Sequence, residues 1–444
     1  MNAPFVPPFP RRDVPPARGF LAGLTGERAR NAVYGWSEQA FNEKHLKLKV
    51  LRFTVHIPLD PDMVQHVLLD NAANYVKPDI VKKLTGRMIG RGLLTSDGEL
   101  WREQRKIVAA SFVPPAVGAL APVFTAAAEA RSAAWRDGEL RDMAAEATAT
   151  TMAVIADALF SGDPRLKTEE ASAHITAALE SASQARVAAI LGLPQIGWTP
   201  TIRRGDRGRR FLRSTLGAMV RERMDGSGAD FLGRIVAALA QRFPPKEAAE
   251  LALDNAVTFY LAGHETTANA LSWTLYLLSE QAGLQEAVAE EARAAGGEEE
   301  KLPLLRRVIE ESLRLYPPVP RFDREAIGPD QIGDWEVRKG DIVSIWPWLL
   351  QRHKALWEAP DSFDADRFLP EHRAKLHRFQ YLPFGGGPRV CVGQRFAMSE
   401  AMTILARWLS AWRFAPSPGR KVTPHGTVTL RPDGGLPLKI ERRR

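Results

Sequence analysis

The chain has 444 residues, 45% of them hydrophobic and 25% charged. These are ordinary values for a soluble globular protein, and the length buries enough apolar surface to fold without disulfides or a structural metal. The balance of 60 Lys+Arg against 52 Asp+Glu gives a net charge of +8, but the densest basic run, "RRGDRGRR" (Arg203–Arg210), has no interleaved aromatics and no base-reading motif, which excludes nucleic acid as an expected partner.

In chain order, residues 1–20 are proline-rich and lack an apolar signal region, so they read as an extended leader packed on the surface. Alternation over Leu46–Pro58 predicts a strand pair, with a helix opening in the following "DPDMVQHVLLD". From about Trp101 to Leu315 the pattern is helical, rich in Ala, Leu, Arg and Glu, and its longest apolar stretch predicts a core helix over Ala249–Ser279. A second β region falls in "IGDWEVRKGDIVSIWPW", with a turn at Lys339-Gly340-Asp341. No run of 18 apolar residues predicts a transmembrane segment. The expected fold class is mainly α with a small β portion at both ends, as one domain over 1–444. The only cysteine, Cys391, cannot form an internal disulfide, which fits a reducing, cytoplasmic compartment.

Four short stretches carry chemistry. Cys391 sits in "FGGGPRVCVG" (Phe384–Gly393), directly before a helical pattern whose N-terminal dipole favours a thiolate. Gly385, Gly386 and Gly387 let the backbone bend and approach a flat ligand, and Arg389 can neutralise a nearby acid. "AGHETT" (Ala262–Thr267) places a glycine and two β-branched threonines inside the core helix, a local rule broken where a functional site or a polar kink is expected. A zinc-protease reading fails because Ala268 stands where a second histidine is required. Glu311 and Arg314 in "EESLR" share a helix face just before "YPPVP" ends the helix; by spacing alone they could be a surface ion pair. Trp101 and Arg105 in "WREQR" lie one turn apart, an arrangement an amphipathic helix with an exposed arginine also produces.

The pattern F-x-x-G-x-R-x-C-x-G, met at Phe384, Gly387, Arg389, Cys391 and Gly393, resembles the haem-binding loop of the cytochrome P450 monooxygenases. The other three stretches follow that family's order and spacing. The resemblance implies a helical prism around haem b, with the Cys391 thiolate as proximal iron ligand. It implies protons delivered by way of Thr266 and Glu265, propionates held by Trp101, Arg105 and Arg324 (with Arg321 a competitor), and a structural network of Glu311, Arg314 and Arg367. By motif position Ala262 and Val319 line the substrate pocket, with Phe259 one turn away. The reaction implied is insertion of one atom of O2 into a lipophilic molecule of the fatty-acid, alkane, carotenoid or terpenoid class. The stretch after Cys391 is too short for a fused reductase, so electrons are expected from a ferredoxin or flavodoxin with its NAD(P)H reductase, docked near Arg102, Lys106 and Arg395. The alternatives are a peroxide-driven peroxygenase, against which Glu265-Thr266 argues, and a haem-based gas sensor, for which no signalling segment is seen.

Overall fold

In a computed structural model the described residues are 5–12, 27–50, 53–168, 170–171, 173–178, 181, 199–226, 228 and 230–444. Leader positions 1–4 and 13–20 lie outside them. The chain divides into two compact units, each assembled from separate segments: Met1–Val76 with Phe124–Thr148 and Thr266–Arg444, and Lys77–Val123 with Ala149–Glu265.

The first unit holds every described strand. Its five-stranded sheet has the order β1-β2-β8-β5-β3, where β1 is His45–Val50, β2 Phe53–Pro58, β3 Tyr75–Val76, β5 Phe322–Ala326 and β8 Ile342–Ile345. β1 and β2 form the antiparallel pair expected from alternation, in register from His45 opposite Pro58 to Val50 opposite Phe53. β8 (IVSI) is buried on both faces, and its one polar side chain, Ser344, donates to the Asp323 carboxylate. Val343 and Ile345 join Val64, Leu68, Phe379 and Leu382 in one apolar cluster, which seats the approach to the cysteine loop on the sheet. The second β region is the hairpin β6 (Asp330–Ile332) and β7 (Trp335–Val337) leading into β8. One short strand, β4 (Leu140–Asp142), interrupts the expected helical stretch; it completes a sheet with β9 (Trp412–Pro416) and β12 (Pro437–Arg442), a long-range pairing that no local pattern announces. Residues of the leader lie against this unit. The Tyr316 hydroxyl donates to the Pro8 carbonyl, and Arg12 makes a two-pronged contact with the Asp361 carboxylate at 2.5 and 2.9 Å.

The second unit has no strand among its described residues and is built of helices joined by turns. The basic run expected at a helix start lies in Pro200–Arg223, capped by the Thr199 hydroxyl on the Ile202 amide. Helix Met143–Phe160 is long and apolar enough by length and composition to cross a membrane, but 61% of it is buried inside the protein, as in a core helix. The longest helix, Pro245–Ser279, starts one turn earlier than the apolar pattern and passes from the second unit into the first between Glu265 and Thr266.

Candidate active site

From Leu251 to Ser279 the long helix is buried at every position except Leu253, Ala262, Gly263, Glu265 and Thr266. A 35-residue helix thus opens one window, and it is at the motif singled out in the sequence. Gly263 has a packing reason: a Cβ there would lie 2.6 Å from Ile155 Cδ1. His264 points away from the window. It is buried, its Nδ1–H donates to the Tyr260 carbonyl at 2.6 Å, and its own carbonyl accepts from the Thr151 hydroxyl. Burial pushes the ring's pKa down, so it is neutral. Phe259 lies in an aromatic cluster, its ring 5.5 Å from Phe231 and 6.2 Å from Phe112. Trp101 and Arg105 are half-buried on helix Gly98–Ala109, on the same side as the buried Gln104 and Val108.

In the first unit the Cys391 thiol is exposed, unusual for one of the most buried residue types. Its backbone is pinned nonetheless, the amide donating to the Phe384 carbonyl at 2.9 Å. The helix beyond begins at Gln394, not directly after the cysteine as expected; a turn through Val392 and Gly393 intervenes, and the Gly393 carbonyl accepts the Ala397 amide. Gly387 adopts φ +65°, and a Cβ there would stand 1.7 Å from the Leu68 carbonyl oxygen, so only glycine fits. Arg324 is buried on β5 and donates to the Asp323 carbonyl. Arg321, its competitor, lies 3.4 Å from the Asp323 carboxylate and stacks over Trp346. Val319 is half-buried after the proline turn.

Glu311, Arg314 and Arg367 come together. The Glu311 and Arg314 side chains are 0% exposed and joined by two 2.7 Å bonds, which removes the surface-pair reading. Arg314 also donates to the carbonyls of Gln351, Pro360 and Ser362, while Glu311 accepts the Asp364 amide. Arg367 Nε lies 3.4 Å from Glu311, and its guanidinium donates to the Ala359 carbonyl. Sequence reasoning missed Gln351, which carries this network to the cysteine loop: its side chain donates to the carbonyls of Leu313 and Arg314 and accepts the Leu382 amide. It also missed Glu400, fully buried on the helix after the loop. Burial pushes this carboxyl well above the usual range, with the Thr267 hydroxyl opposing the shift. Beneath the loop a cleft of about 380 Å³ is lined by Arg306, Glu310, Arg373, Arg378 and Gly385–Gly387.

These features fit a haem-thiolate group. An exposed thiol on a glycine-cleared loop is a group that would hold haem iron through its sulfur. Among the described residues no three His, Cys, Asp or Glu side chains converge on a metal-sized point. The fold and loop together define a haem-thiolate oxygenase. The cytochrome P450 family model matches residues 19–436, and the chain belongs to that family as a haem-dependent monooxygenase. Cyclooctatin synthase of Streptomyces melanosporofaciens is 33% identical over 386 residues, covering 85% of this chain and 84% of its own length. Cyclooctat-9-en-7-ol 5-monooxygenase of the same organism is 32% identical over 399 residues, covering 87% and 86%. The crystal structure of CYP175A1 from Thermus thermophilus is 30% identical, with a TM-score of 0.71, and the alignment covers 90% of this chain and 92% of that one.

Proposed function

We propose that this P450 hydroxylates a lipophilic small molecule, of terpenoid, carotenoid, fatty-acid or alkane character, using electrons from a separate ferredoxin or flavodoxin. The observation that carries the reading is the window in the long helix, where a small apolar residue, Ala262, precedes an adjacent acid and alcohol, Glu265 and Thr266, and nothing else polar is uncovered. The name of one relative, cyclooctat-9-en-7-ol 5-monooxygenase, describes oxygenation of a largely hydrocarbon alcohol and supports the same substrate character.

In this reading Cys391 supplies the thiolate that holds haem iron, and the bound haem supplies oxygen activation and transfer. The loop residues Phe384, Gly387, Arg389 and Gly393 keep that thiolate placed, with Glu311, Arg314, Arg367 and Gln351 as its scaffold. Trp101, Arg105 and Arg324 supply an indole N–H and two guanidinium groups to the propionates. Glu265 and Thr266 hold and pass protons at the window, while Ala262 and Val319 shape the apolar wall, backed by Phe259. Arg102, Lys106 and Arg395 are exposed, and Arg306, Arg373 and Arg378 rim the cleft under the loop, cations suited to an acidic electron donor. Both compact units then belong to one haem domain over 1–444, working in the cytoplasm.

Thr266→Ala tests the proton role. With a ligand chosen by a spin-state screen of lipophilic compounds, reductant consumption should continue while product per reductant falls about 100-fold, the low end of the range typical for loss of one general acid–base group. Unchanged coupling in Thr266→Ala removes the proton role, and product from peroxide but none from ferredoxin and O2 reassigns the protein as a peroxygenase.

A further inference from the structure

Asp254 is a buried carboxylate in the long helix, its side chain 8% exposed, and the proposed function gives it no task. A buried charge is costly unless its partners justify it. Here they do, and they come from two other elements. One oxygen accepts the Arg91 amide at 2.7 Å; the other accepts the Arg213 guanidinium at 2.8 Å from helix Pro200–Arg223. The neighbouring Asn255 side chain accepts the Leu93 amide at 3.0 Å and donates to Gln104, which donates in turn to the Arg91 carbonyl and the Ser96 hydroxyl. The segment is built for this approach. Gly90 has φ +56°, and a Cβ on it would stand 2.1 Å from the Asp254 carboxylate; at Gly92 a Cβ would stand 2.8 Å from both the Asp254 carbonyl and the Thr258 hydroxyl.

The position of this carboxylate matters more than its strength. Asp254 and Glu265 are eleven residues apart, so at 3.6 residues per turn they fall within about 20° of one line along the helix, roughly 16 Å from each other. Thr258 and Ala262 lie in the same stripe. The Gly90–Gly92 backbone covers it at Asp254 and Thr258, and the stripe becomes uncovered at Ala262. The segment is therefore the wall at the N-terminal end of the window. Two glycines and directional bonds from Asp254 and Asn255 hold that wall in one register, and the Asp254 carboxylate ties the Arg91 amide to helix Pro200–Arg223 through Arg213.

We propose that Asp254 is a latch: it fixes the Gly90–Ser96 segment over the end of the window and sets how fast a lipophilic ligand enters and leaves. It is a positioning residue, acting through the segment, and it rests on the proposed site only for where the ligand lies. Asp254→Ala removes both acceptors, whereas Arg213→Gln removes the outer donor from a side chain 30% exposed and leaves the Arg91 bond in place.

The test uses the holoprotein, with 4-phenylimidazole as a haem-ligating probe in stopped flow and hydrogen exchange read on residues 88–96. In Asp254→Ala, exchange at Arg91 and Leu93 should rise at least tenfold and probe dissociation should accelerate at least tenfold, with the carbon monoxide spectrum unchanged. Arg213→Gln should show a smaller change of both in the same direction, and it carries the test should Asp254→Ala fail to fold. Faster exchange with dissociation within twofold of the parent overturns the latch, as does unchanged exchange in both variants. A chain that binds no haem refutes the site reading instead, while the exchange data still judge the contact.

Discussion

Glu311→Ala probes the most buried charge pair in the first unit. Deleting the carboxylate leaves the Arg314 guanidinium, 0% exposed, with three carbonyl acceptors and no counter-charge, and leaves the Asp364 amide without an acceptor. Breaking a buried pair from one side costs about 3–5 kcal/mol, and an orphaned buried amide about 1–3 kcal/mol more. We take about 5 kcal/mol as the expected loss. With an unfolding entropy of about 2.1 cal/mol/K per residue, that loss lowers Tm by about 5 °C in a chain of this length. Glu311→Leu/Arg314→Met removes both charges, so its loss should fall short of the sum of the single losses by at least about 2 kcal/mol, since each single change leaves an uncompensated partner. Urea denaturation of the parent, Glu311→Leu, Arg314→Met and the double variant closes the cycle. Because Gln351 connects the Arg314 carbonyl to the Leu382 amide, hydrogen exchange over Leu382–Cys391 should rise in the same variants. A loss under about 1 kcal/mol for Glu311→Ala, or strict additivity in the cycle, refutes the claim that this pair is a buried and mutually dependent scaffold.

Gly387→Ala puts a methyl group 1.7 Å from the Leu68 carbonyl oxygen at a left-handed φ, so it should abolish haem incorporation while Gly385→Ala, whose Cβ would meet only Phe322 at 3.9 Å, retains a measurable fraction; equal incorporation would refute the argument from close approach. Stability should also depend on pH through the β1–β2 hairpin. His45 stacks on Trp335, and its Nε2 lies 3.2 Å from Nδ1 of the fully buried His56, which faces Asp341. Burial first, then the positive fields of His56 and Lys47, lower the His45 pKa to about 4. Its unfolded value is about 6.5, so the unfolded chain binds the extra proton first and stability falls as pH drops from about 6.5 to 4. The urea midpoint should decrease between pH 7 and pH 5, and His45→Gln should flatten that slope; an equal slope in the variant would contradict the assignment.

The first strand pair, the long helix and the cysteine loop were legible because each is a local pattern: alternation, a long and mostly apolar helical pattern, and glycines at fixed distances from one thiol. Glu311 and Arg314 were legible as neighbours but not as buried, since what buries them is the chain around Gln351, Pro360 and Ser362, remote in sequence. β4 escaped notice because its three residues are a strand only by pairing with β12. Asp254 and Glu400 carry a signal that could have been read, an acid within an apolar helical run, but their partners on other segments fix the meaning. Gly263 shows the converse. Its departure from helix propensity pointed to function, and the approach of Ile155 supplies a packing cause beside it.

The central claim is that Cys391 holds the haem iron as a thiolate. The most direct measurement is the carbon monoxide difference spectrum of the reduced protein, recorded beside Cys391→His. The account predicts the long-wavelength Soret band peculiar to thiolate-ligated haem in the parent and its loss in the variant. A histidine-type band in the parent, or the same long-wavelength band in both proteins, would contradict it.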